Sequence, residues 1–253
     1  MRTIYYKNFT DDVVVNKGQD YRLPDDYIWI RKGFFNRFMY GFVYFFVVAA
    51  AFFYCRFGLG LRVVNRKALK KYRKSGYYVF ENHTQPVGDA LMPALIAKGK
   101  RCFVIVSESN MGIPFLGKLL PYIGALPIPE SRRKMVGFMD AVRCRVEGGN
   151  AVFIYPEAHV WPYYDGIRPF PDTSFRFPVE SHSPSFAVTV TYRKRALFGK
   201  AGVTAYVDGP FFADGSLPVA RQKKQLHEMV RSCMIERSRL NKYRFVNYIR
   251  REI

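Results

Sequence analysis

Acidic side chains are scarce in this chain. Only 20 Asp and Glu stand against 40 Lys and Arg, a formal charge of +20 over 253 residues. A surface so short of negative charge attracts polyanions, either nucleic acid or anionic lipid headgroups. Internal repeats and Ser/Gly-rich or Pro-rich linkers are absent, so one globular domain with an N-terminal extension is the simplest partition. Cysteine is sparse as well. Cys55, Cys102, Cys144 and Cys233 form no CxxC pair and none sits beside a histidine at metal-ligand spacing. Neither a zinc site nor a disulfide framework is indicated, and a reduced, cytosol-facing compartment fits best. Cys102 and Cys144 lie in apolar segments and read as buried thiols. No GxSxG elbow occurs, which disfavours a covalent serine hydrolase.

What is present is apolar and aromatic: 49% hydrophobic residues and 17% Phe, Tyr and Trp. From Phe38 to Cys55 the chain reads FMYGFVYFFVVAAAFFYC without a charge, bracketed by Arg37 and Arg56. As a helix this run measures about 27 Å at ~1.5 Å per residue, just short of a ~30 Å hydrocarbon core. Three forms compete: a span with snorkelling arginines, a dip into one leaflet, and a buried core helix. Phe and Tyr at both ends suit an interfacial belt, so the segment is expected to attach to membrane. Asp11, Asp12, Asp20, Asp25 and Asp26 precede it, which argues against a signal peptide. The aromatic run also favours lipid over nucleic acid as the polyanionic partner. Residues 1–60 are thus expected to form an extension and anchor, and 61–253 the functional domain. Basic residues dominate that domain, which is expected to face the cytosol.

Further along, strand-like and helix-like segments alternate. Strands are expected at Leu61–Arg66, Tyr77–Asn82, Cys102–Ser107, the brief Ala125–Ile128 and Ala151–Glu157, and in SFAVTVTYR and VTAYVDG. Helices are expected from Asp89 to Gly99, at Pro114–Gly124, over SRRKMVGFMDAVRCRVEGG and from Ser216 onward. Several strands are apolar on both faces, which predicts an α/β fold with a mixed, mostly buried sheet flanked by helices. A long Pro- and aromatic-rich loop runs to about Pro184. Residues just past strand ends in such folds face ligands, and His83 and Glu157 both sit there.

His83 is followed by Pro86 and Gly88, and then by Asp89 where a helix begins. A neutral imidazole can take a proton from a hydroxyl near neutral pH, and a carboxylate on its other nitrogen fixes the tautomer. A helix cap at Asp89 and a buried turn at His83 account for the same residues.

The order of four segments adds to this. NHTQPVGD (Asn82–Asp89), GALPIP (Gly124–Pro129), YPEAH (Tyr155–His159) and SPSFAVTV (Ser183–Val190) resemble the four sequence blocks of the glycerophospholipid acyltransferase family, the lysophosphatidic acid acyltransferase-like group. The likeness runs from about Leu61 to Gly209, and the apolar N-terminal run is similar to that family's anchoring region. It implies a glycerolphosphate acyltransferase-like α/β fold and O-acyl transfer from acyl-CoA or acyl-carrier protein to a lysophospholipid-type hydroxyl. The membrane would supply the lipid. No cofactor, metal or nucleic acid is implied. Carried over by position, His83 is the general base and Asp89 its orienting acid, with one residue more between them than the family has. Gly124 in the second block is implied to bind substrate, and Glu157 in the third either to bind the acceptor as a substrate-binding residue or to brace the strand end. Where the family places phosphate-binding arginines, this chain has Glu130, and Ala158, His159 and Val160 follow Glu157. The missing arginines put an sn-glycerol-3-phosphate-type acceptor in question. Arg168 or Arg176, from the long loop, are expected to supply the charge instead. A catalytically silent relative that binds membrane or a partner is the alternative. His182 and His227 read as surface or loop residues.

Overall fold

In the computed structural model, which describes residues 2–14, 20–195 and 201–251, strand and helix alternate along most of the chain. The N-terminus opens with a strand, β1 (Arg2–Tyr6), and the apolar run forms α1 (Phe34–Phe53), continued by a π-helical turn over Tyr54–Gly58. Next come β2 (Arg62–Val64), the single turn α2 (Lys67–Lys70), β3 (Tyr77–Glu81), α3 (Gly88–Ile96) and β4 (Cys102–Ser107). They are followed by α4 (Leu116–Ile123), β5 (Ala125–Ile128), α5 (Arg132–Glu147) and β6 (Ala151–Ile154). The long loop contains the short α6 (Arg176–Glu180). After it come β7 (Ser185–Lys194), β8 (Ala201–Phe211), α7 (Val219–Ser238) and β9 (Val246–Arg250).

Seven strands form one sheet in the order β2-β8-β7-β3-β6-β4-β5. Only β7 and β8 are antiparallel neighbours; the other pairings are parallel. The sheet is therefore mixed, and β3, β4, β5, β6 and β7 deliver their carboxyl ends to the same edge. Side chains alternate across it with the period of two that a strand imposes. Tyr77 and Val79 pack with Met92 and Ile96 of α3 on one face; Tyr78 and Phe80 pack with Phe138 and Val142 of α5 and Leu226 of α7 on the other. Two faces buried under helices explain why β6, and β3 as far as Phe80, read as unbroken apolar runs.

The C-terminal stop of α4 needs a glycine. Gly124 has φ of +103°, and a Cβ there would lie 2.4 Å from the Cys102 carbonyl oxygen. A second, two-stranded sheet pairs β1 with β9 in parallel, joining the two ends of the chain. Neither strand is evident from sequence, because both are short and half exposed. This pairing crosses the expected boundary at residue 60: the first residues pack on the domain that follows. Cys144 is exposed, not buried, because it lies on the outer face of α5, opposite the stripe of Phe138, Val142 and Val146. His227 is on α7, not in a loop. It packs edge-on to Phe170 and Phe175 and its Nε2 bonds the Phe170 carbonyl at 3.0 Å.

One face of α1 is fastened to the domain. Tyr44 accepts a hydrogen bond from the Cys102 amide, and the Arg101 guanidinium, over the Tyr40 and Tyr44 rings, bonds the Tyr122 carbonyl. The opposite face carries Phe34, Phe38, Phe42, Phe45, Phe46 and Phe53, all between 51 and 88% exposed. A wholly buried core helix is thereby ruled out.

Candidate active site

β3 ends at Glu81 because Asn82 takes over its ladder with a side chain. Asn82 Oδ1 accepts from the Val190 amide at 2.7 Å and Nδ2 donates to the Val190 carbonyl at 3.1 Å. The backbone is then free to turn, and His83 leaves the sheet edge. Pro86 keeps the turn from continuing as helix until Gly88, where α3 starts.

Asp89, in the first turn of α3, folds back onto the ring. Its Oδ2 lies 2.6 Å from His83 Nδ1 and accepts the Gln85 amide at 2.9 Å. The extra residue of spacing is thus absorbed in the turn. Asp89 is 2% exposed. Burial pushes its carboxyl up, while the His83 ring and the amides of Gln85 and Thr84 pull it back down. A carboxylate on Nδ1 holds the hydrogen there and leaves the lone pair on Nε2. The His83 ring stacks on Tyr155, centroids 4.5 Å apart, and the Tyr155 hydroxyl donates to the Asp89 carbonyl at 2.5 Å.

His83, Asp89 and Tyr155 line a cavity of about 1030 Å³ at the carboxyl edge of the sheet. Its walls are mostly apolar, including Val104, Val106, Met135, Phe138, Met139 and Phe177, with Ser107, Ser109, Asn110 and Glu130 among the polar residues. The N-terminal segment closes part of it through Asp12 and Val14. Those two, and Tyr155, carry no sequence signal as site residues. Asp12 and Val14 arrive only through the β1–β9 pairing and the bonds that follow it.

Other expected site residues fall differently. Arg176 lines the cavity and is ion-paired with Glu180 one turn along α6. Glu157 and Arg168 do not line it. Glu157 is 5% exposed: Oε2 accepts the His83 amide at 3.1 Å and the Arg168 guanidinium at 3.1 Å, and Oε1 accepts the Arg168 amide at 2.9 Å. Both oxygens are spent on the protein's own donors, so Glu157 braces the strand ends beneath His83. Burial raises its carboxyl and the Arg168 guanidinium opposes that shift.

Arg168 is fully buried, not offered to a substrate. It also bonds the carbonyls of Phe9 and His159 and lies 4.8 Å over the Trp161 ring. Trp161 itself is buried, donates to the Asp11 carbonyl at 2.8 Å and stacks on Tyr248 of β9, so this part of the loop is packed connection. Gly124 caps α4 just before β5, at the opposite end of the parallel strands from His83, and does not line the cavity.

Glu130 lines the cavity where the family resemblance puts an arginine, and it pairs with Arg22 at 2.7 Å. His159 stands 3.5 Å from Asp12. Among the described residues no three His, Cys, Asp or Glu side chains gather as a metal-binding group.

The backbone amides of His83 and Gln85 are already committed to Glu157 and Asp89.

The sequence profile of the family described as Acyltransferase matches residues 60–191, just over half of the chain and all four blocks. Among solved structures, the chain is similar to the crystal structure of the 1-acyl-sn-glycerophosphate (LPA) acyltransferase PlsC from Thermotoga maritima. The TM-score is 0.54 and the identity 14%, over 83% of each chain, which is a likeness of fold. No curated protein matches.

Proposed function

The chain belongs to the acyltransferase family, and on that premise we propose that it moves a fatty acyl group from an acyl thioester to a hydroxyl of a lysophospholipid or related lipid. Acyl-CoA and acyl-carrier protein are the donor classes. The observation that carries this reading is the 2.6 Å contact of His83 and Asp89 at an apolar cavity. In the proposed step Nε2 of His83 takes the acceptor hydroxyl proton as that oxygen attacks the thioester carbonyl. The C–O bond forms, the C–S bond breaks, and the proton passes from His83 to the departing thiolate. General base catalysis of this kind contributes roughly 10²–10⁴-fold, and orientation of two bound substrates supplies much of the rest. The apolar walls suit an acyl chain. Glu130 and the ion-paired Arg176 offer a poor match to a doubly charged phosphate, which favours an acceptor whose headgroup is not a bare phosphomonoester.

The exposed phenylalanine face of α1 supports attachment at a bilayer surface, with the opposite face holding the domain. A helix packed on one side and apolar on the other lies in the interface more readily than it spans. The net positive charge favours anionic headgroups and a domain on the cytosolic side.

The test is thiol release from a long-chain acyl-CoA by detergent-solubilised protein over a panel of lysophospholipids, wild type against His83→Ala. Acceptor-dependent release that disappears in the variant supports the reaction and the base. Release unaffected by the substitution refutes the mechanism. No release with any acyl-CoA or acyl-carrier protein donor favours the silent relative.

A further inference from the structure

Glu81 is the one carboxyl in β3, an otherwise apolar strand, and its side chain is fully buried two residues before His83. The titratable groups around it are Asp89 on α3, Tyr155 after β6 and Cys55 in the π-helical turn after α1. Among the described residues it makes no ion pair, and its Oε1 has no hydrogen-bond partner. An isolated carboxylate in such a place is costly, and burying a second negative charge beside Asp89 is costlier.

The Tyr155 hydroxyl decides where the proton sits. It has one hydrogen and lies 2.5 Å from the Asp89 carbonyl oxygen and 3.5 Å from Glu81 Oε2. A carbonyl cannot donate, so the tyrosine hydrogen goes to Asp89. The remaining contact, long as it is, becomes attractive only when Glu81 supplies a hydrogen of its own. We propose that Glu81 is a positioning residue held as the neutral acid, completing a chain from Glu81 O–H to Tyr155 O–H to the Asp89 carbonyl. The chain fixes the Tyr155 ring on which His83 stacks, and it leaves Asp89 as the one charged carboxylate in contact with the imidazole ring. Two carboxyls with opposite surroundings then divide the work: Asp89 has amide and imidazole donors for its charge, and Glu81 has none. Consistent with this, burial and then Asp89 push the Glu81 carboxyl well above its ordinary value.

The functional half of this inference rests on His83 acting as base, and the protonation half does not. Infrared difference spectra between wild type and Glu81→Gln at neutral pH should show the carbonyl band of a protonated carboxylic acid. The band should move in Tyr155→Phe, which removes its acceptor, and persist in His83→Ala whether or not the acyl-transfer reading holds. Absence of the band overturns the proposal. In turnover, Glu81→Ala should lower kcat about 10-fold or more with KM for both substrates unchanged, since orientation alone is lost. Glu81→Gln, neutral and able to donate, should recover most of that loss and keep the acidic limb of the pH–rate profile in place. Were Glu81 ionised in the wild type, the same change would remove a negative charge and move the limb to lower pH. That movement, or a failure of Gln to do better than Ala, would refute the role.

Discussion

Replacing Arg168 by Met is a quantitative test of where that guanidinium belongs. Neither Arg168 nor Glu157 exposes any of its side chain, and they meet at 3.1 Å. The substitution strands a buried carboxylate and frees the carbonyls of Phe9 and His159. Removing one partner of a buried pair costs about 3–5 kcal/mol, a large part of a typical total of about 5–15 kcal/mol. For a chain of this size each kcal/mol lowers Tm by roughly 2–4 °C, so a fall of roughly 6–20 °C is expected. Glu157→Leu should cost at least as much, because the His83 and Arg168 amides lose their acceptor too. The double substitution removes both charges and should be less damaging than the sum of the singles by about 1–3 kcal/mol. Thermal unfolding by circular dichroism in detergent at neutral pH measures all three. If Arg168→Met kept its Tm within about 2 °C and instead raised KM for the acceptor, the guanidinium would be serving substrate and the brace described above would be wrong.

Three further outcomes follow from the same geometry. Asp89→Asn keeps the side chain's size but presents an amide to Nδ1, loosening control of the tautomer; kcat should fall by about 10²–10⁴-fold with little change in KM, read by thiol release. Changing Phe38, Phe42 and Phe45 together to Ser removes three exposed rings, each contributing roughly 1.5–3 kcal/mol when buried in an apolar phase. Cosedimentation with anionic vesicles should then be lost while thermal stability is kept, and undiminished binding would place the contact elsewhere. For Glu81 the folded state holds its proton above the ordinary value of 4.5, so its contribution is fully present below that pH and is lost as pH rises toward the folded value. Glu81→Gln cancels this dependence, and its stability advantage over wild type should therefore grow with pH, by at most about 1.4 kcal/mol per pH unit. An advantage that stays constant or shrinks between about pH 5 and pH 8 would contradict a raised carboxyl.

Much of the fold is legible in the order of residues, for local reasons. Short unbroken apolar runs such as Cys102–Ser107 and Ala151–Ile154 read as strands of a covered sheet, and the glycines after α4 and α5 mark where helices stop. His83 and Asp89 are nameable because both sit in one short loop, and a loop closes on itself at little entropic cost. The sequence puts Glu157 at a strand end but leaves its role open, since a carboxylate after Pro156 looks the same whether it meets a ligand or an arginine. Its partner Arg168 lies eleven residues on in a loop without periodicity, and nothing local shows that loop turning inward. The strands β1 and β9, the wall formed by Asp12 and Val14, and the Tyr155 ring beneath His83 all depend on contacts between distant segments. So does the state of Glu81, whose proton is dictated by what surrounds it in space. By itself the chain determined the strands and helices around the seven-stranded sheet and the loop that carries His83 and Asp89. Tertiary structure decided which charges are buried, which of them are paired, and hence which face the cavity, because desolvation and hydrogen-bond partners exist only once the chain has folded.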